Sequence, residues 1–167
     1  MSVELTPAHQ LTTSDDTRRW GQDLGRRLRA GDIVVLTGEL GAGKTTLTQG
    51  LAEGLGVRGP VTSPTFVIAR VHPSLTNGPA LVHVDAYRLS GGLELDDLDL
   101  DASVEDSVTV VEWGHGLAEA LSDSWLEIEL VRAVAGPAHS EATAPEQIID
   151  HDPRTVRAIG HGPRWQR

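Results

Sequence analysis

The chain has 167 residues, of which 39% are apolar and 23% charged, enough for one soluble globular domain with a core. It contains no cysteine, which excludes disulfides and thiolate metal sites. Its formal net charge of −10 argues against a broad direct nucleic-acid surface, which takes clustered cations. The first ten residues lack the cationic start and apolar stretch of a secretion signal, and runs such as Ile33–Leu36 are far short of the about 20 residues that cross a bilayer. The expectation is therefore no membrane and a cytoplasmic location.

In chain order, residues 3–11 read as a first strand. Thr13 or Ser14 then caps a helix whose first turn holds Asp15 and Asp16, where the helix dipole favours acids. Trp20, Leu24 and Leu28 are spaced to form its buried face, with Arg26, Arg27 and Arg29 near its end and Gly31 as the stop. Ile33–Leu36 is a continuous apolar run, as in a strand buried on both faces. A glycine-rich loop follows, and then a helix from Thr45 with an apolar stripe at Leu47, Leu51 and Leu55, ending at Gly56.

Phe66–Val71 and Leu81–Asp85 read as strands on either side of the Asn77-Gly78 turn signal, which predicts a hairpin. The hairpin would set antiparallel strands beside the parallel strand that feeds the loop. Val108–Glu112 reads as another buried strand, residues 116–121 as a helix and Leu126–Val131 as a strand. Residues 133–153 are rich in Ala, Pro, His, Ser and Glu without periodicity and read as a loose loop. Thr155–Ile159 is expected as an edge strand before a frayed end. The fold class predicted is α/β: a single P-loop NTPase domain over residues 1–132, with a mixed parallel/antiparallel central sheet flanked by helices, and a loosely structured extension over 133–167.

The chemistry concentrates in Gly38-Glu39-Leu40-Gly41-Ala42-Gly43-Lys44-Thr45, the pattern G-x-x-x-x-G-K-[ST] between a buried strand and a helix. Glycines let successive amides turn inward as a nest for phosphate oxygens. The following helix adds its positive end. Lys44 would neutralise the β and γ phosphates, and the Thr45 hydroxyl would ligate a metal. Lys44 is the single lysine among 14 Lys and Arg residues; a compact ammonium fits a tight phosphate loop where a planar guanidinium does not. The pattern predicts a nucleoside-triphosphate site, for ATP with Mg²⁺.

Such a site also needs a carboxylate at the tip of a neighbouring strand. Asp85 and Glu112 each terminate an apolar strand, where open α/β sheets place their ligands; either can be the metal ligand or the orienter of water. Thr62-Ser63-Pro64-Thr65-Phe66 carries the hydroxyls of a nucleotide-sensing loop and reads equally as a plain β-turn. His83 alternates with Val82 and Val84 and is open to a packed or an exposed reading. The acidic stretch from Glu94 to Asp106 alternates with leucines and suits either a solvated face or an amphipathic docking element.

Taken together, Gly38–Thr45 with Thr46 following, Ser63-Pro64-Thr65-Phe66, His83-Val84-Asp85-Ala86-Tyr87-Arg88-Leu89 and Val111-Glu112-Trp113 resemble the TsaE family of bacterial tRNA threonylcarbamoyladenosine biosynthesis over about residues 10–132. The resemblance implies a slow ATPase that docks onto a TsaB–TsaD complex, which modifies adenosine 37 of tRNAs reading codons that begin with A. ATP turnover would reset that assembly, so tRNA is met only through the complex. The resemblance also implies that Lys44 binds phosphate, Thr45 ligates Mg²⁺, and Glu112 and Asp85 serve the metal and the attacking water. Thr65 would lie in a switch-like segment, Trp113 beside the active-site acid, and Thr13, Ser14 and Arg132 near the base. Gly114 departs from many members, and the tail beyond residue 133 matches nothing in the pattern.

Three other readings are weighed against this one. A small-molecule or nucleotide kinase needs a lid bearing arginines, and none occurs between Glu112 and Val131, leaving Arg88 and Arg132 as candidates. A GTPase usually recognises guanine through Asn-Lys-x-Asp, which cannot exist where Asn77 and Lys44 are the sole residues of their types. A nucleotide-dependent binding module with negligible turnover overlaps with the ATPase reading if catalysis matters only in the complex.

Overall fold

The computed structural model describes residues 2–39, 41–62, 69–86, 103–113, 116–132 and 153–166. Strand β1 (Ser2–Leu11) leads to helix α1 (Ser14–Gly25), β2 (Ile33–Thr37), α2 (Lys44–Leu55), β3 (Ala69–His72), β4 (Ala80–Asp85), β5 (Ser107–Glu112), the short α3 (Leu117–Leu121), β6 (Trp125–Arg132) and β7 (Arg154–His161); a 3₁₀ turn, Pro163–Trp165, follows. The strands form one sheet in the order β1-β7-β6-β2-β5-β4-β3. β2 is parallel to both β5 and β6, and β4 is parallel to β5. β3 runs antiparallel to β4, β7 to β6, and β1 to β7. A parallel centre thus carries antiparallel strands on each flank, the mixed α/β architecture the sequence predicts.

Register decides what meets at the top of this sheet. Parallel pairing brings the C-terminal ends of β2, β4, β5 and β6 to one edge. The reversed direction of β7 brings its first residue, Arg154, to that edge, opposite Arg132 on β6 and Leu11 on β1. Thr13 and Ser14, just after Leu11, therefore enter α1 from the same edge as the glycine loop.

The continuous apolar run in β2 is explained by burial on both faces. Val34 and Leu36 join a core with Leu47, Leu51, Leu81, Val110 and Ile128, whereas Ile33 and Val35 join a second core with Val82, Val84, Val111 and Leu117. On the first side α1 and α2 pack through glycines. A Cβ on Gly21 or Gly25 would collide with the carbonyls of Leu47 and Leu51, and one on Gly50 or Gly54 with those of Arg18 and Gln22. Small residues at i, i+4 let the two backbones touch.

Four expectations change. α1 ends at Gly25 with Arg26 as its C-cap, because Gly31 (φ +91) instead forms the turn whose amide donates to the Ser107 carbonyl. The buried residues of α1 are Thr17, Gly21 and Gly25; of the expected stripe, Leu28 is buried, and Trp20 and Leu24 pack partly buried against the core. The expected edge strand at 155–159 is an interior strand, β7, because β1 pairs along its outer side. The expected frayed end is a 3₁₀ turn with Trp165 packed on the core and Arg164 in a two-armed ion pair with buried Asp32 (3.0 and 3.2 Å). The hairpin forms as expected, with Ala69 opposite Val84 and His72 opposite Leu81. Residues 63–68, most of the acidic stretch and residues 133–152 lie outside the described residues.

Candidate functional site

The loop between β2 and α2 is shaped by three glycines. Gly38 abuts the Leu130 carbonyl at 2.6 Å from where a Cβ would stand, so β6 can lie directly against the loop's start. Gly41 and Gly43 take φ of +80 and +100, which side chains rarely adopt. The Ala42 amide donates to the Glu39 carbonyl (3.0 Å), closing the turn. Gly43 is the N-cap of the 12-residue α2 and offers no side-chain cap, so the helix's first amides keep their capacity for an anion. The acid-capped α1 is the contrast: there the Thr13 hydroxyl accepts from the Asp16 amide, and Asp16 accepts from Thr13.

Lys44 opens α2 and is 8% exposed. Its Nζ donates to the carbonyls of Gly38 (2.6 Å) and Glu39 (3.5 Å) and lies 4.2 Å from the Trp113 ring centre. Burial holds its pKa below the usual lysine value, against the opposing pull of Glu112 and Asp85. Charging Lys44 is therefore costly without an anion, which suits a group awaiting phosphate. Thr45 and Thr46 follow at intermediate burial.

Asp85 and Glu112 end neighbouring parallel strands and stand directly opposite each other in register, with Leu36 of β2 on the other side of Glu112. Both are buried, at 6% and 4% exposure. Buried carboxylates this close seek a cation. Lys44 supplies one charge. The buried Glu112 Oε1 has no hydrogen-bond partner, and the Asp85, Glu112 and Thr45 oxygens form the hard donor set that Mg²⁺ takes when phosphates and water complete its shell. Among the described residues no cluster of three or more His, Asp or Glu side chains could hold a metal. Trp113, directly after Glu112, has φ +60, a strained value of the kind found at functional sites; its amide donates to the Leu36 carbonyl.

The structure thus brings Gly41, Ala42, Gly43, Lys44, Thr45, Asp85, Glu112 and Trp113 together at one end of the sheet. Glu39 lies exposed in the loop. Arg132 approaches the turn, its Nη1 at 3.8 Å from the Cβ position of Gly41. Thr13 and Ser14 share the edge through register. Leu40 and Thr65 lie outside the described residues.

Two nearby residues had no place in the sequence-based site. His83 is fully buried, with Nε2 3.5 Å from Glu112 Oε1. The signal was its position two residues before Asp85 on the same strand face. Arg154 lies against the loop, and no local signal marks it.

Fold and site together define a mixed-sheet α/β protein with a glycine-rich loop between its central strand and a helix. A family model described as threonylcarbamoyl adenosine biosynthesis protein TsaE matches residues 11–138. The chain is 61% identical over 149 residues to the tRNA threonylcarbamoyladenosine biosynthesis protein TsaE of Streptomyces coelicolor, covering 89% of this chain and 93% of the relative. It is 56% identical over 129 residues to the protein of that name from Mycobacterium tuberculosis strain H37Rv (73% and 77%). Among solved structures, the crystal structure of Bacillus subtilis YdiB superposes with a TM-score of 0.70 at 28% identity, covering 99% of this chain and 91% of that one. The chain belongs to the TsaE family.

Proposed function

We propose that the chain binds ATP with Mg²⁺ at Gly38–Thr45, hydrolyses it slowly, and acts with a TsaB–TsaD complex in forming threonylcarbamoyladenosine at position 37 of tRNA, in the cytoplasm. The observation that carries the proposal is the convergence of an uncapped helix end, a buried lysine and two buried strand-end carboxylates on one loop. The relatives' names supply the pathway.

In this reading the amides of Gly41–Thr45 wrap the β-phosphate and hold it against the α2 terminus. Lys44 gives up the Gly38 and Glu39 carbonyls and follows the charge that develops on the γ-phosphoryl group. Thr45 and one of the two carboxylates would hold Mg²⁺, which would supply positive charge against the phosphates. Whichever of Glu112 and Asp85 does not hold the metal orients the attacking water and accepts its proton as the bond from the γ-phosphorus to the β–γ bridging oxygen breaks and ADP leaves. Trp113 covers the lysine and narrows the access of bulk water. Contact with tRNA is indirect, through the complex, because the net charge of −10 opposes broad phosphate contact.

The test is phosphate release from ATP by purified protein without an acceptor, then with TsaB–TsaD added. Slow release that rises with the pair supports the proposal. Absence of ATP binding at millimolar ligand refutes the site, and binding without stimulation by a tRNA-competent pair refutes the pathway role. Acceptor-dependent transfer in place of release would instead make the chain a kinase. Within the site, Lys44→Ala should abolish binding or turnover, whereas Glu112→Ala should retain binding and lose hydrolysis.

A further inference from the structure

Arg154 is the first residue of β7 and lies beyond the residues matched by the family model. It is 7% exposed, and few guanidinium groups are buried so deeply without a task. Its side chain runs along the phosphate loop. The place where a Cβ would stand on Gly43 is occupied by the guanidinium, with Cζ at 3.0 Å and Cδ at 3.2 Å, and Nη2 donates to the Gly41 carbonyl at 3.4 Å. Gly43 has to be glycine for its left-handed backbone (φ +100), and the space its missing side chain leaves is where the guanidinium is seated.

A nest of inward amides leaves its carbonyls facing outward, where a side-chain donor can fix their direction. Lys44 serves the carbonyls of Gly38 and Glu39 and would leave them when phosphate binds. Arg154 serves the Gly41 carbonyl from the start of β7. Its planar fork is less free to follow an anion than a flexible ammonium is. We propose that Arg154 is a positioning residue of the phosphate site: from β7 it holds the Gly41–Gly43 turn in the shape that presents its amides to a polyphosphate. The inference deepens the nucleotide-binding reading and rests on it.

The test compares the full chain with Arg154→Met, Arg154→Lys and, as a control on the exposed side of the same strand, Arg157→Met. Hydrogen exchange of the ligand-free loop peptide is read against β5, and affinity is measured for Mg·ATP and for inorganic tripolyphosphate. Losing a charge-assisted hydrogen bond should raise loop exchange and both dissociation constants about tenfold in Arg154→Met and about threefold in Arg154→Lys. β5 should be unchanged, and Arg157→Met should match the wild type. Wild-type loop exchange in the Met or Lys variant overturns the proposal, as does an equal rise across β5, which would make Arg154 a general fold residue. If Arg154→Met does not fold, Arg154→Lys decides by the same readings. Failure of the wild type to bind either phosphate ligand would sink the nucleotide reading alone, since the exchange data still judge the hold of Arg154 on the turn.

Discussion

Gly50→Ala should destabilise the protein although alanine is the better helix former. Gly50 lies inside α2, and replacing glycine there would by propensity alone stabilise by about 1 kcal/mol. The added methyl would stand on the α1 backbone: its nearest neighbours are the carbonyl oxygen, carbonyl carbon (2.8 Å) and Cα (3.0 Å) of Arg18. None of these is the end of a flexible side chain, so the helices must separate by roughly 1 Å, loosening the packing around Leu47 and Leu51, both fully buried. Overpacking of this kind costs about 1–3 kcal/mol, and backbone against backbone belongs at the top of that range. The net loss is about 2 kcal/mol, or a fall in Tm of about 4–8 °C for a chain of this size. Urea unfolding followed by circular dichroism measures it. Adding Gly21→Ala should cost less than the sum of the single changes, because helices already parted accept a second methyl more easily. An unfolding midpoint for Gly50→Ala at or above that of the wild type would refute the close-contact account.

The lowered pKa of Lys44 gives a signed pH dependence: phosphate affinity is present while Lys44 is protonated and is lost as pH rises. The loss should begin below the ordinary lysine value of 10.5, and calorimetric affinities that stay flat to that pH would contradict it. Because Lys44 Nζ lies 4.2 Å from the Trp113 ring, its transfer to phosphate should change tryptophan emission on adding Mg·ATP. Trp113→Phe should remove that change, and an unaltered signal in the variant would assign it elsewhere. Arg164→Ala leaves buried Asp32 with the Arg29 amide as its other donor (2.8 Å). With Arg164 about one-third exposed, the expected loss is about 1–2 kcal/mol, read as a lower urea midpoint that recovers when Asp32→Asn is added.

The site was legible in the sequence wherever it is local. A strand, a glycine turn, a lysine and a helix are contiguous, and their geometry follows from short-range backbone rules, so Gly38–Thr45 could be read directly. Asp85 and Glu112 were legible because each closes an apolar strand, although only the register sets them face to face. His83 could be given a strand face but not its neighbour, since its contact with Glu112 depends on pairing between two strands.

What the chain by itself determined is the glycine loop, its flanking elements and its strand-end acids, because these depend on neighbours a few residues apart. What only the tertiary structure decided is where the C-terminal strand goes. Arg154 meets Gly41 across 113 positions and Arg164 meets Asp32 across 132, and β7 becomes interior because β1 pairs with it from the other end of the chain. Strand pairing is a choice among distant partners, set by burial of the whole sheet rather than by any local pattern. The arginine that braces the loop therefore looks, in sequence, like any other.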